Sequence, residues 1–138
     1  MPLTLTLTEG VLPAGSEKTA IARITDAFLK HHGMAGNKVM TDNVTAHFQV
    51  LPKNSTFSGG KEVAGAWVEW KTPSFALANR EVQQGFFADA TEIIHELSGG
   101  KQPRDHIYVN VVHAVDGGWN FNGKAMTNAE IGAAVAEG

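Results

Sequence analysis

A strand–helix–strand pattern occurs twice in this 138-residue chain, offset by about 63 residues, and that repetition restricts the fold more than any other feature. In the first half, Leu3, Leu5 and Leu7 alternate with Thr4, Thr6 and Thr8, the period-two pattern of a half-buried strand. Ser16 is the expected helix N-cap, and Ala20, Ile21, Ile24, Ala27, Phe28 and His31 recur at helical spacing until Gly33 ends the run. After a polar connection through Gly36-Asn37-Lys38, residues 44–51 alternate again, with Val44, Ala46, Phe48 and Val50 on one side, and Pro52 stops them. Residues 53–62 are a turn-rich loop.

The second half repeats the order. Val63 to Lys71 reads as a strand, with Ala64, Ala66, Val68 and Trp70 on one side and Trp67 and Glu69 on the other. A helix from about Asn79 carries Val82, Phe86, Ile93 and Leu97 inward, and Ser98-Gly99-Gly100 ends it. Residues 106–112 form a strand with Ile107, Val109 and Val111 inward. Thr127-Asn128-Ala129-Glu130 reads as a capping box for a short final helix. The expectation is a single α+β domain over residues 1–138, built of tandem β-α-β units at 1–52 and 63–115 with a C-terminal tail at 116–138. Strands that enclose a helix run parallel by the right-handed crossover rule. The predicted architecture is therefore a four-stranded sheet with two helices on one face. The other face carries His47, Trp67 and Tyr108, which call for cover by another subunit.

With 43% apolar and 18% charged residues, the chain can bury a real core and does not read as disordered. It has no cysteine, which excludes disulfides, thiolate metal sites and cysteine nucleophiles. A net charge of −3 without a Lys/Arg-rich run argues against nucleic acid as a partner. No apolar run approaches the ~18 residues of a membrane span, and the N-terminus lacks the pattern of a signal peptide. A soluble cytoplasmic protein without membrane contact is expected, in which the Asn43-Val44-Thr45 and Asn54-Ser55-Thr56 triplets are chance matches. The histidines have no metal-ligand spacing, since His31 and His32 point about 100° apart on a helix. Gly118 to Lys124 has the spacing of a P-loop. Ala125 stands where a hydroxyl would hold Mg²⁺, and Trp119 and Phe121 are too bulky for a phosphate cradle. No metal and no cofactor are expected.

Pro2 opens the first strand directly behind Met1. Proline is tolerated there because the first residue of a strand need not donate to the ladder. Were Met1 removed, Pro2 would carry a free secondary amine. Burial against apolar walls disfavours the charged form of an amine and lowers its pKa from the usual α-amino range of about 7.7–8. Such a group would be a neutral base at physiological pH. From this stretch alone, catalysis and a plain strand start are both open. The position of the second half that corresponds to Pro2 falls near Ala64 or Gly65, in mid-chain, so chemistry at a free amine occurs once per chain.

Several short motifs stand in a fixed order behind this proline. They are Ile24-Thr25-Asp26-Ala27, then His47 to Pro52 running into Phe57-Ser58-Gly59-Gly60, then Asn79-Arg80. Asp105-His106-Ile107-Tyr108-Val109-Asn110 and Gly118-Trp119-Asn120 follow. Together with the doubled β-α-β pattern they resemble the tautomerase superfamily, over nearly the whole chain. The likeness is to its macrophage migration inhibitory factor, 4-oxalocrotonate tautomerase and cis-3-chloroacrylic acid dehalogenase types, in the long form with two fused units. The resemblance implies a homotrimer whose sheets close into a barrel, with Pro2 as general base at the floor of a pocket between subunits. It also implies that Tyr108 and Asn110 contact a small-molecule substrate from the adjacent subunit, and that Trp119 and Phe121 wall the mouth. A substrate carboxylate would be held by Lys38, Lys71 or Arg80. The sequence departs from the dehalogenase branch: Phe28 stands where a histidine belongs, the paired arginines are missing between Lys71 and Asn79, and Phe121 or Asn122 replaces the catalytic glutamate. Dehalogenation is therefore disfavoured. Keto–enol tautomerisation of a small α-keto acid or related carbonyl compound is the leading expectation. A decarboxylase or hydratase using the same amine, and a non-catalytic binding trimer, are the alternatives.

Overall fold

The computed structural model describes residues 1–138. The first half contributes β1 (Pro2–Thr8), α1 (Ser16–His31), a short α2 (Lys38–Asn43) and β2 (Thr45–Leu51). A two-residue hairpin, β3 (Phe57–Ser58) and β4 (Lys61–Glu62), leads into the second half. There β5 (Ala66–Pro73), α3 (Arg80–Leu97) and β6 (Ile107–Ala114) follow, with a 3₁₀ turn at Arg104–His106 before β6. Residues after 115 form a hairpin of β7 (Trp119–Phe121) and β8 (Lys124–Met126), then α4 (Asn128–Ala136).

The main sheet has the order β2-β1-β5-β6. β1 runs parallel to β2, β5 runs parallel to β6, and the two units meet along the antiparallel β1–β5 pair. The register Leu3↔Trp70, Leu5↔Val68 and Leu7↔Ala66 puts the apolar residues of both central strands on one face. All six are buried. At roughly 1.5–3 kcal/mol for each large apolar side chain removed from water, this face supplies much of the drive to fold. Trp70 is the keystone against both helices: its indole stacks on Phe28 of α1 at 4.2 Å between ring centroids and meets Phe86 of α3 edge-on at 5.7 Å. Both helices thus lie on one side of the sheet. None of the helices is long and apolar enough to cross a membrane.

Three local differences from the sequence pattern have clear causes. β5 starts at Ala66 rather than Val63, because the preceding residues are bonded elsewhere. The Thr8 hydroxyl accepts from the Gly65 N–H at 2.9 Å, and the Val63 N–H donates to the Thr56 carbonyl at 3.0 Å. The polar connection before β2 contains α2, capped by the Asn37 side chain, which accepts from the Met40 N–H at 2.9 Å. The Asn37 amide also donates to the Val135 carbonyl at 2.9 Å and so ties α2 to α4. The C-terminal residues are no loose tail: Phe121, Ile131 and Val135 are buried in the same core as β1. On the sheet edge β2, Phe48 and Val50 remain 42% and 46% exposed, although they share the helix side with Leu5 and Leu7.

Candidate active site

The start of β1 is held between the end of α2 and the C-terminal hairpin. Pro2 pairs with Thr45, the Thr45 N–H donates to the Met1 carbonyl at 3.2 Å, and the Met1 amine donates to the Asn43 carbonyl at 2.5 Å. Met1 is only 4% exposed. Burial lowers its amine from the ordinary 8.0 to about 6, because the charged form loses hydration there. A cavity of about 350 Å³ opens at this point, lined by Met1, Pro2, Asn43, Thr45, Gly118, Trp119 and Asn120. It has a polar rim of hydroxyl and carboxamide groups around the proline and one aromatic wall, the half-buried Trp119.

Of the residues expected at the site, Pro2 and Trp119 meet here. Phe121 does not wall the mouth. It is 2% exposed and packs into the core, where it supports the hairpin that carries Trp119. Lys38 is also elsewhere: its ammonium lies 2.8 Å from Asp42 on the exposed side of α2, and that hydrogen bond raises its pKa. Lys71 is exposed on β5. It follows Trp70, the partner of Leu3, so it stands one strand away from Pro2 on the face opposite the helices.

Arg80 and Asn110 form a separate group at the other edge of the sheet. They line a cavity of about 450 Å³ between α3 and β6, together with Gln83, Gln84, Phe87 and Val111. Arg80 is the one charged side chain in that lining. Asn79 fixes the first turn of α3 by accepting from the Glu81 N–H at 2.8 Å. Tyr108 lies on the same strand as Asn110, two residues earlier, and its ring stacks on Trp67 with centroids 5.4 Å apart. The expected site residues therefore fall into two separate groups in one chain: Pro2 with Trp119 at one cavity, and Arg80 with Asn110 at another along β6, with Tyr108 two residues from Asn110 on the same strand.

Asn43 and Thr45 escaped the sequence reading. No motif distinguishes them, and they line the proline cavity only because the β1–β2 register brings residues 2 and 45 together. Asn120 was visible as part of Gly118-Trp119-Asn120, without a role. The departures from the dehalogenase pattern have structural occupants: Phe28 is buried against Trp70, and Asn122 serves a turn with φ of 53°.

The sequence matches no protein-family profile and no curated protein. Solved structures do match. A wild-type fused 4-OT, solved as an asymmetric trimer, superposes with a TM-score of 0.75 at 14% identity, covering 96% of this chain and 99% of its own. A member of the cis-3-chloroacrylic acid dehalogenase family gives 0.71 at 14% identity, over 96% of this chain and 90% of that one. Malonate semialdehyde decarboxylase inhibited by 3-bromopropiolate gives 0.66 at 12% identity, over 88% and 89%. Two β-α-β units joined along a β1–β5 pair, with both helices on one face, superpose on these enzymes over nearly their whole length: the chain has the tautomerase superfamily fold.

Proposed function

We propose that this protein is a cytoplasmic homotrimeric tautomerase that uses Pro2, freed by removal of Met1, as general base on a small α-keto acid or phenylpyruvate-like carbonyl compound. The observation that carries the reading is that Pro2 lines a cavity directly beside the Met1 amine, which burial lowers to about 6. Excision of Met1 moves the terminal amine one residue inward, next to Asn43, Thr45 and Trp119. A neutral proline nitrogen there accepts the proton from the carbon next to the carbonyl, the electron pair moves onto the carbonyl oxygen, and that oxygen takes a proton from water to complete the enol. In the reverse direction the protonated nitrogen delivers its proton to the enol carbon while the enol O–H loses its proton to water. Met1 itself is buried in this region, so its loss also enlarges the space open to substrate.

A substrate carboxylate needs a cation. Arg80 suits that role best, because it lies in a cavity with Asn110 and without a carboxylate, whereas Lys38 is engaged by Asp42. Assembly through the open edges β2 and β6 would bring Arg80, Tyr108 and Asn110 of one copy toward Pro2 of the next. Support for a trimer comes from the fused 4-OT trimers of the same fold.

The test pairs the intact mass of untagged protein with phenylpyruvate tautomerase activity of wild type and Pro2→Ala. A mass lacking Met1, with activity lost by a factor of at least about 100 in the variant, is the expected result. Retained Met1, or activity indifferent to Pro2, would leave a binding trimer.

A further inference from the structure

On β6, the residue that precedes the strand is bonded to a residue within it. The His106 Nδ1 lies 3.0 Å from the Tyr108 hydroxyl. The imidazole of this 3₁₀ turn therefore stands beside the phenol, and Tyr108, paired with Trp67 and alternating with Val109, lies on the face of β6 away from the helices. Both members of the pair are held from behind. The Tyr108 ring is stacked on Trp67 at an interplanar angle of 22°. The His106 carbonyl accepts from the side-chain amide of Gln102 at 3.1 Å, and that same amide nitrogen donates to the Ala64 carbonyl at 2.9 Å. Gln102 is buried, so the backbone bearing His106 is fixed to the segment just before β5.

We propose that His106 is a positioning residue that aims the Tyr108 hydroxyl at substrate and sets it as a hydrogen-bond donor. This rests on the reading of Tyr108 as a substrate contact. A phenol has one O–H and accepts through its oxygen. When His106 carries its proton on Nδ1, that N–H donates to the Tyr108 oxygen, and the Tyr108 O–H is left to donate outward. In the other tautomer the Tyr108 O–H is consumed by Nδ1, and only a lone pair faces the ligand. The keto and carboxylate oxygens of an α-keto acid only accept, so the working arrangement is the one with the proton on Nδ1.

The proposal is tested by calorimetric titration of phenylpyruvate into wild type, Tyr108→Phe, His106→Ala, His106→Asn, His106→Phe and the Tyr108→Phe/His106→Ala double variant. Wild-type circular dichroism is required of each variant. His106→Ala and His106→Phe should each weaken Kd by about fivefold, the scale of one hydrogen bond lost, as Tyr108→Phe does. His106→Asn, whose amide N–H can take the place of Nδ1–H, should restore binding to within about twofold. The double variant should be no weaker than Tyr108→Phe alone, because both changes remove one interaction. If Tyr108→Phe weakens binding while His106→Ala and His106→Phe do not, His106 has no such role and the substrate site stands. If Tyr108→Phe binds as wild type does, Tyr108 is no substrate contact and the proposal falls with it. Wild type that binds no phenylpyruvate would overturn the tautomerase reading for this substrate class, and with it the role of His106.

Discussion

Gly65 has no side chain because Trp67 occupies the place of one. A Cβ built on Gly65 would lie 2.7 Å from the indole, which folds back along its own strand. Gly65→Ala must therefore push the indole off, and with it the stack on Tyr108. A loss of about 1–3 kcal/mol in urea unfolding is expected, the usual cost of overpacking, together with a changed near-ultraviolet dichroism spectrum. Met1 gives the second prediction at this scale. Its amine is lowered in the folded chain from 8.0 to about 6, so the unfolded chain binds more protons between those values. In protein that retains Met1, this contribution to stability is fully present above pH 8 and is lost as the pH falls through 6. Urea midpoints at pH 8 and pH 6 should show it, and N-terminal acetylation should abolish the difference. The strand start at Pro2 is legible in the sequence, because proline and alternation are local signals. The burial of Met1 is not, since its neighbours Asn43 and Trp119 are distant in the chain.

The elements themselves are written plainly in the pattern. Both long helices follow their apolar spacing, and the box at Thr127 forms as read: the Thr127 N–H donates to the Glu130 carboxylate at 3.0 Å, and the Thr127 hydroxyl accepts from the Glu130 N–H at 3.2 Å. Asn79 is the cap with consequences for the site, since the next residue is Arg80. Asn79→Ala leaves the N–H groups of Glu81 and Val82 without their acceptor, which costs about 1 kcal/mol. The same change should loosen Arg80 and raise KM for a carboxylate substrate more than it lowers kcat, measured by steady-state kinetics. The pattern misses α2, a six-residue helix with a single buried residue, Met40, and so too short for periodicity to register. It also misplaces the start of β5, where side-chain hydrogen bonds from Thr8 and Thr56 replace strand pairing.

At the scale of the whole molecule, the sheet was legible but the gathering of the site was not. Topology follows from strand order and crossover handedness, which are properties of one chain. Which candidate meets Pro2 depends on the edges. Lys38 turns to Asp42, Phe121 turns to the core, and Arg80 and Asn110 lie at the far edge of the sheet. Phe48 and Val50 are exposed on the edge strand β2, and the proposed trimer would cover them. Sedimentation should report a trimer, and Phe48→Lys should yield folded monomers with unchanged far-ultraviolet dichroism and little activity. Counting from the first unit, Gly65 stands where the second unit would have its own opening proline, and an indole now roofs that point. The two halves of the chain are thus unequal at their openings. One opens on a cavity lined by its first residues, while in the other a side chain fills the matching place, so a ligand can enter at one end of the duplication and not at the other.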